Sequence, residues 1–212
     1  MDFIVDTLRE QKLKITNRRI AQKRSVLWVG EFGTGKTALL NQLNKQHPNA
    51  RRLSGLGGLA QILGEMAGEP DTKSWRKNEY IKTIRRNPQL IFIDEAQHLN
   101  KALFPYLKDF IEHGNVFLLA GLNTVVGRML DSNNQDVLSR FMQIEIHPVP
   151  IDDLQAALTK DFTEEAFIEI YTSSESTRVL AEVVDDCRLY AQEIGITLIT
   201  LDIARKIIAG EL

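Results

Sequence analysis

The sequence predicts an α/β protein in which a parallel sheet is flanked by helices and followed by a small helical domain. Short apolar segments alternate with helical patterns up to about residue 149, one of them ends in a glycine-rich loop, and only helical patterns follow Pro148 and Pro150. Strands that alternate with helices are joined by right-handed crossovers, which place the strands parallel in one sheet. The chain of 212 residues, 43% of them hydrophobic, is large enough to bury a core.

The predicted strands are short apolar runs, and the predicted helices have apolar residues at helical spacing. Strands are expected at residues 25–30, 50–53, 90–93, 116–120 and 142–146. Helices are expected at residues 37–45, 59–66, 77–86, 101–113, 151–160, 163–171, 176–194 and 201–209. These elements divide the chain into a basic N-terminal segment (1–24), an α/β core (25–149) and a helical domain (150–212).

The charges are distributed unevenly along the chain, although the net charge is only −2. Residues 9–24 and 73–86 are rich in lysine and arginine, whereas residues 152–186 are rich in aspartate and glutamate. This asymmetry is consistent either with a molecule that has one basic face or with ordinary solvated helix surfaces. No apolar run approaches the roughly 20 residues of a membrane span, no signal peptide is evident and Cys187 is the single cysteine, so we expect a cytoplasmic protein that does not bind membranes.

A complete phosphate-binding motif, G-x-x-x-x-G-K-T, lies between the first predicted strand and the first predicted helix. Such a loop turns backbone N–H groups toward phosphates and adds the positive end of the following helix. Lys36 is expected to hold the β- and γ-phosphates of ATP, and the Thr37 hydroxyl to bind Mg²⁺. The predicted nucleotide-binding residues of the loop are Gly30, Glu31, Phe32, Gly33, Thr34, Gly35, Lys36 and Thr37.

Two acids follow the apolar run at residues 90–93. Asp94 and Glu95 therefore lie at the carboxyl edge of the predicted sheet, where open α/β sheets bind their ligands. Asp94 is expected to hold Mg²⁺, directly or through water, and Glu95 to polarise the water that attacks ATP. The alternative is a simple strand end capped by two acids.

With the segments GEFGTGKT, LIFIDEAQHL and LSRF and a helical C-terminal part, the chain resembles an AAA+ ATPase. Within that group it is most similar to the transposition ATPases of the Mu B, TniB and TnsC type, over roughly residues 20–210. The resemblance implies that the sheet is a P-loop AAA+ sheet and that the helical domain is its lid. It also implies that subunits assemble into a hexameric ring or a helical filament.

Three further roles follow from the resemblance. Arg140, just before the last predicted strand, matches the arginine finger that reaches a neighbouring subunit's nucleotide, the alternative being a surface arginine in a salt bridge. Arg178 matches the nucleotide-contacting sensor 2 arginine of the lid, the alternative being a solvated helix residue. The polar sensor 1 position falls on Leu122 by count from Gly121, so Asn123 is the nearest polar candidate.

The resemblance also implies binding to duplex DNA through elements between the two Walker motifs. Residues 51–58 and 71–86 correspond to these elements and carry basic side chains. Contacts to phosphate do not depend on base sequence, which suits broad target selection. The predicted DNA-contacting residues are Arg51, Arg52, Lys73, Arg76 and Lys77.

We therefore predict an ATP-dependent, non-sequence-specific DNA-binding ATPase that regulates DNA transposition and recruits or activates a transposase. Two alternatives stay open. One is a replication-type AAA+ ATPase such as a helicase loader, and the other is an AAA+ regulator that binds only protein.

Overall fold

The computed structural model describes residues 7–69, 71–131, 135–158, 160–175 and 177–211. Residues 1–6 of the predicted N-terminal segment, positions 159 and 176 of two predicted helices, and residue 212 lie outside these ranges. The chain divides into two compact units. One unit consists of Arg9–Glu31 and Lys36–Ile146, and the described part of the other contains residues 7–8, Phe32–Gly35 and residues 147–211.

The first unit is built on one parallel sheet of five described strands in the order β2-β3-β4-β1-β5. The central strands are buried along their whole length, because every residue of β1 and β4 is enclosed on both faces. The strands are β1 (Ser25–Val29), β2 (Arg51–Ser54), β3 (Leu90–Asp94), β4 (Val116–Gly121) and β5 (Phe141–Glu145).

Helices and short 3-10 turns cover both faces of this sheet, and a core of Leu, Ile, Val and Phe side chains lies beneath them. The helices are α1 (Thr7–Ala21), α2 (Lys36–Gln46), α3 (Leu59–Ala67), α4 (Lys77–Arg86), α5 (Phe104–Glu112), α6 (Thr124–Asp131) and α7 (Gln135–Leu138). The 3-10 turns are Ser74–Arg76, Ala96–His98 and Lys101–Leu103.

Helix α1 was not among the predicted elements, because it carries few apolar residues. Its packing against the sheet relies on Leu13, which is 5% exposed, and on Thr16, which is fully buried. The Thr16 hydroxyl accepts a hydrogen bond of 3.0 Å from the indole N–H of Trp28 in β1. A buried polar contact thus does part of the work that an apolar stripe does in other helices.

The helical unit has its own core, which includes Phe162, Phe167 and Cys187. Burial, and secondarily the charge of Asp186, raises the pKa of the Cys187 thiol to about 11, so this thiol is a packing group. The helices are α8 (Ile151–Leu158), α9 (Glu164–Ser173), α10 (Thr177–Ile194) and α11 (Leu201–Ile208).

The predicted fold class is confirmed: a parallel sheet is flanked by helices, and a helical segment follows it. None of the helices in the described ranges is long and apolar enough to cross a membrane.

Candidate functional site

The glycine-rich loop starts where β1 ends and runs into the first turn of α2. Gly33 and Gly35 adopt positive φ angles of 75° and 82°. Such left-handed residues let successive backbone N–H groups face one concave side, which is the geometry of an anion nest. Phe32 is 67% exposed and Thr37, in the first turn of α2, is exposed too.

Lys36 folds back over the start of this loop. Its ammonium group donates hydrogen bonds to the carbonyl oxygens of Gly30 (3.1 Å) and Glu31 (2.7 Å). Burial lowers the pKa of Lys36, and the negative charges of Glu95 and Asp94 act against this effect. The ammonium group of Lys36 therefore lies near the carboxylates of Asp94 and Glu95, at the carboxyl edge of the sheet.

Asp94 is the last residue of β3, and its carboxylate has two partners. Oδ1 accepts a hydrogen bond of 3.0 Å from the N–H of Glu95, and Oδ2 lies 3.5 Å from the guanidinium of Arg52. Arg52 reaches Asp94 because β2 and β3 are adjacent, with Ser54 in register with Asp94. The structure thus places Arg52, a predicted DNA contact, beside a predicted metal ligand.

Glu95 has a left-handed backbone conformation, with φ at 52°, which is uncommon for a residue other than glycine. The segment that follows β2 packs against this residue, because the N–H of Gly55 donates a hydrogen bond of 2.7 Å to the carbonyl oxygen of Asp94. A Cβ atom at Gly55 would lie 2.4 Å from the carbonyl oxygen of Glu95. Position 55 therefore needs glycine, and this close approach helps to fix the backbone that carries Glu95.

Gln97 is a site residue that the sequence analysis missed. Its side-chain amide donates to the carboxylate of Glu95, and its amide oxygen accepts a hydrogen bond of 3.2 Å from the N–H of Leu122. The side chain is only 9% exposed. Gln97 therefore connects Glu95 to the end of β4, and the only signal in the sequence was its position two residues after Glu95.

The residues assigned by resemblance lie in three different places. Asn123 is exposed between β4 and α6, and its side chain makes no hydrogen bond to the described residues. Arg140 immediately precedes β5 and forms an ion pair of 3.0 Å with Glu112. Arg178 lies on α10 in the helical unit, where it is 68% exposed and 3.9 Å from Glu182. No contact of these three residues tests the roles predicted for them.

Four of the predicted DNA contacts have partners within the α/β unit. Arg51 donates to the side chain of Gln89 and to the backbone of α3. Lys73 lies 3.3 Å from Asp71, and Lys77 lies 5.5 Å above the ring of Tyr106. Arg76 contacts Glu79 at 2.7 Å and Glu69 at 3.2 Å and stacks over Tyr80. Together with Arg52, all five must give up or share a partner to bind phosphate.

The candidate site offers few protein ligands for a metal ion, as is usual where a nucleotide supplies most of the ligands. Among the described residues, no group of three or more His, Cys, Asp or Glu side chains could hold a metal ion by itself. Magnesium in nucleotide sites takes one or two protein oxygens and fills its other positions with phosphates and water. Thr37 and Asp94 offer that small set, so the residues fit Mg²⁺ bound with ATP.

Comparisons with known proteins identify the family and the fold. A family model described as "AAA domain" matches residues 18–129, and no curated protein matches the chain significantly. The structure is similar to the RuvB Holliday junction branch migration motor of Thermotoga maritima, with a TM-score of 0.63 and 19% identity over 98% of this chain and 70% of that chain. A variant of the same RuvB gives a TM-score of 0.63 and 18% identity, over 99% of this chain and 70% of that chain.

A second RuvB variant gives a TM-score of 0.62 with 19% identity, over 97% of this chain and 68% of that chain. At such identities the likeness shows the fold alone. The predicted narrower similarity to the Mu B, TniB and TnsC proteins stays a prediction. Because the family model covers more than half of the residues, this chain belongs to the AAA domain family.

Proposed function

We propose that this protein is an ATPase that binds duplex DNA without sequence preference when ATP is bound, and that it regulates DNA transposition by selecting targets and recruiting a transposase. The observation that carries the ATPase part is the meeting of Lys36, Asp94 and Glu95 at one edge of the sheet. Here Lys36 follows the glycine-rich loop and the two acids follow a buried strand, and the AAA family match at residues 18–129 includes all three residues.

Each residue of this edge has a distinct role in the proposal. Lys36 and the backbone N–H groups of the loop hold the phosphates, while Thr37 and Asp94 hold Mg²⁺, which neutralises phosphate charge when it is bound. Glu95 accepts a proton from the attacking water, and Gln97 keeps its carboxylate in place. Asn123 and Arg178 are proposed to position the water and to sense the nucleotide.

The position of Arg140 supports hydrolysis across a subunit interface. It precedes β5 and so lies at the amino edge of the sheet, whereas Lys36 and Asp94 lie at the carboxyl edge. A strand of five residues spans about 16 Å, which a side chain of the same subunit cannot bridge. An arginine finger at this position therefore has to serve a neighbouring subunit, and we propose a ring of six subunits or a helical filament.

The DNA part of the proposal rests on resemblance and on charge. The similar solved structures belong to a branch migration motor, so the same fold serves a protein that works on DNA. Transposition itself follows from the motifs that resemble Mu B, TniB and TnsC. The acid-rich helical unit would repel phosphate, so basic surfaces of the α/β unit are proposed to face DNA.

Electron microscopy of the protein with duplex DNA and a slowly hydrolysed ATP analogue tests this function. We expect rings or filaments that enclose DNA with the analogue and neither assembly without nucleotide. Assembly that requires a replicative helicase instead of DNA would favour the replication-type alternative. Nucleotide-dependent assembly that ignores DNA at low salt would favour the protein-only alternative.

A further inference from the structure

A basic groove lies at the opposite edge of the sheet from the nucleotide site. It has a volume of about 620 Å³ and is lined by the last turns of α1 and the turn into β1. The lining residues are Ile15, Arg18, Arg19, Gln22 and Arg24. We call these residues, with the adjacent Lys23, the α1 groove.

The cations of the α1 groove are presented to solvent. Arg18, Lys23 and Arg24 are exposed and Arg19 is half-buried. None of the four forms an ion pair with any of the described residues. The groove cations differ in this respect from four of the predicted DNA contacts, whose guanidinium or ammonium groups already have partners in the protein. These four are Arg51, Arg52, Lys73 and Arg76.

The backbone at Lys23 provides a second, independent observation. Helix α1 ends in a Schellman motif, in which the N–H of Arg24 donates to the carbonyl oxygen of Arg19 and the N–H of Lys23 donates to that of Ile20. The left-handed residue of this motif is usually glycine, yet here Lys23 holds it with φ at 56°. A strained cation beside a cluster of arginines indicates a role for its charge, since glycine would relieve the strain.

We propose that the α1 groove is a binding site for the sugar-phosphate backbone of duplex DNA. Guanidinium groups bind phosphate oxygens in a bidentate manner, and the Gln22 amide adds a neutral donor. The helix dipole alone accounts for one cation near the end of α1, but not for four within seven residues. This inference rests on the proposed DNA-binding function and names the surface that performs it.

Fluorescence anisotropy on unrelated duplexes, with an ATP analogue and across a salt series, tests the inference. The triple variant Arg18→Ala, Arg19→Ala, Arg24→Ala should bind all duplexes more weakly and to the same extent. The magnitude of the negative slope of log K against log salt should decrease by about 2 to 3, at about 0.9 for each lost phosphate contact. As a matched control, Lys101→Ala, Lys160→Ala, Lys206→Ala removes three exposed cations outside the groove and outside residues 51–58 and 71–86, and it should leave the magnitude of the slope within about 0.5 of the wild-type value.

The variant Lys23→Gly distinguishes a loss of positive charge in the groove from a loss of protein stability. This variant should raise Tm by about 2 °C because it relieves the left-handed strain. It should nevertheless bind DNA more weakly, and the magnitude of its salt slope should be smaller by about 1. A more stable protein with weaker binding cannot be explained by damage to the fold.

The outcomes distinguish the inference from the proposed function. If the wild-type protein does not bind DNA at low salt with the analogue, the proposed function fails. If it binds, and the groove variants keep the wild-type affinity and salt slope while Lys73→Ala, Arg76→Ala, Lys77→Ala loses both, the inference is overturned and the function stands. If a polyglutamate peptide binds to the α1 groove and duplex DNA does not displace it, the groove is a binding site for an acidic protein. That outcome would also overturn the inference.

Discussion

The two edges of the parallel sheet arrange their charges in opposite ways. At the carboxyl edge, Lys36, Asp94 and Glu95 each make short contacts with the protein. At the amino edge, Arg18 and Arg24 extend into solvent. The difference fits the two tasks that we propose, because groups that act on a reacting phosphate need fixed positions, whereas groups that hold a long polyanion need only to present charge.

We expect Arg140→Ala to have the largest effect on the rate of ATP hydrolysis. Arg140 lies at the amino edge of its own sheet but is proposed to act on the nucleotide at the carboxyl edge of a neighbouring subunit. An arginine finger contributes about 10³-fold or more to turnover, so the hydrolysis rate should fall by that order. Mixing Arg140→Ala with Lys36→Ala subunits should restore part of the activity, since some interfaces then combine an intact loop with an intact finger. Steady-state ATPase assays over a range of protein concentrations measure both effects.

The matched control for this prediction is Arg86→Ala, which removes another exposed arginine of the α/β unit and should not change the rate. An Arg140→Ala protein as active as the wild type would show that the ion pair with Glu112 is the whole role of this residue.

Lys36→Ala should weaken ATP binding by roughly 10- to 100-fold, because it removes a charged hydrogen-bond donor whose contribution is about 1.5–3 kcal/mol. Titration of a fluorescent ATP analogue measures this loss. The variant should keep the wild-type Tm in the absence of nucleotide within a few degrees. Wild-type affinity in this variant would mean that the loop does not bind phosphate.

Gly55→Ala tests how firmly the backbone of Glu95 is fixed. The added Cβ would lie 2.4 Å from the carbonyl oxygen of Glu95, so the turn must shift at a cost of about 1–3 kcal/mol. We expect a lower Tm and an ATPase rate reduced by about tenfold or more. At Gly58, no atom lies within 4 Å of the added Cβ, so Gly58→Ala should stay within about 0.5 kcal/mol of the wild type. Equal behaviour of the two variants would contradict the close-approach argument.

Gln97→Leu should produce the smallest of these effects. It removes the hydrogen bonds that connect Glu95 to Leu122, and kcat should fall about fivefold to tenfold, as for the loss of a hydrogen bond of about 1–1.4 kcal/mol. KM for ATP should not change, because Gln97 positions Glu95 and is not proposed to touch the nucleotide. Gln61→Leu is the control, since the side-chain amide of the exposed Gln61 bonds, among the described residues, only to the half-buried Glu65. A rise in KM with unchanged kcat would contradict the positioning role.

Local patterns were sufficient to predict much of the fold and to propose the nucleotide-binding residues. The strands β1, β3 and β4 are continuous apolar runs, and the loop from Gly30 to Thr37 is a contiguous motif. Helix α6 was not predicted, and neither was α1, whose docking on Trp28 uses the polar Thr16. Periodicity of apolar residues does not reveal such a contact.

The long-range contacts of the site could not be predicted from local patterns. Gln97 and Leu122 are 25 residues apart, and their hydrogen bond depends on the parallel pairing of β3 with β4. The pairing of Arg52 with Asp94 depends in the same way on the register of β2 with β3. For this reason the sequence could not rank the basic residues between the two Walker motifs as contacts for DNA. The structure distinguishes those that form ion pairs, such as Arg52 and Lys73, from those that do not.

The central claim is that the carboxyl edge hydrolyses ATP with Glu95 as the residue that accepts the proton. Single-turnover hydrolysis of radiolabelled ATP by Glu95→Gln, measured beside its equilibrium affinity for ATP, tests this claim most directly. We predict wild-type affinity and a hydrolysis rate lower by about 10²- to 10⁴-fold, the usual contribution of a general base. Hydrolysis at the wild-type rate by Glu95→Gln, with ATP bound normally, would contradict the account.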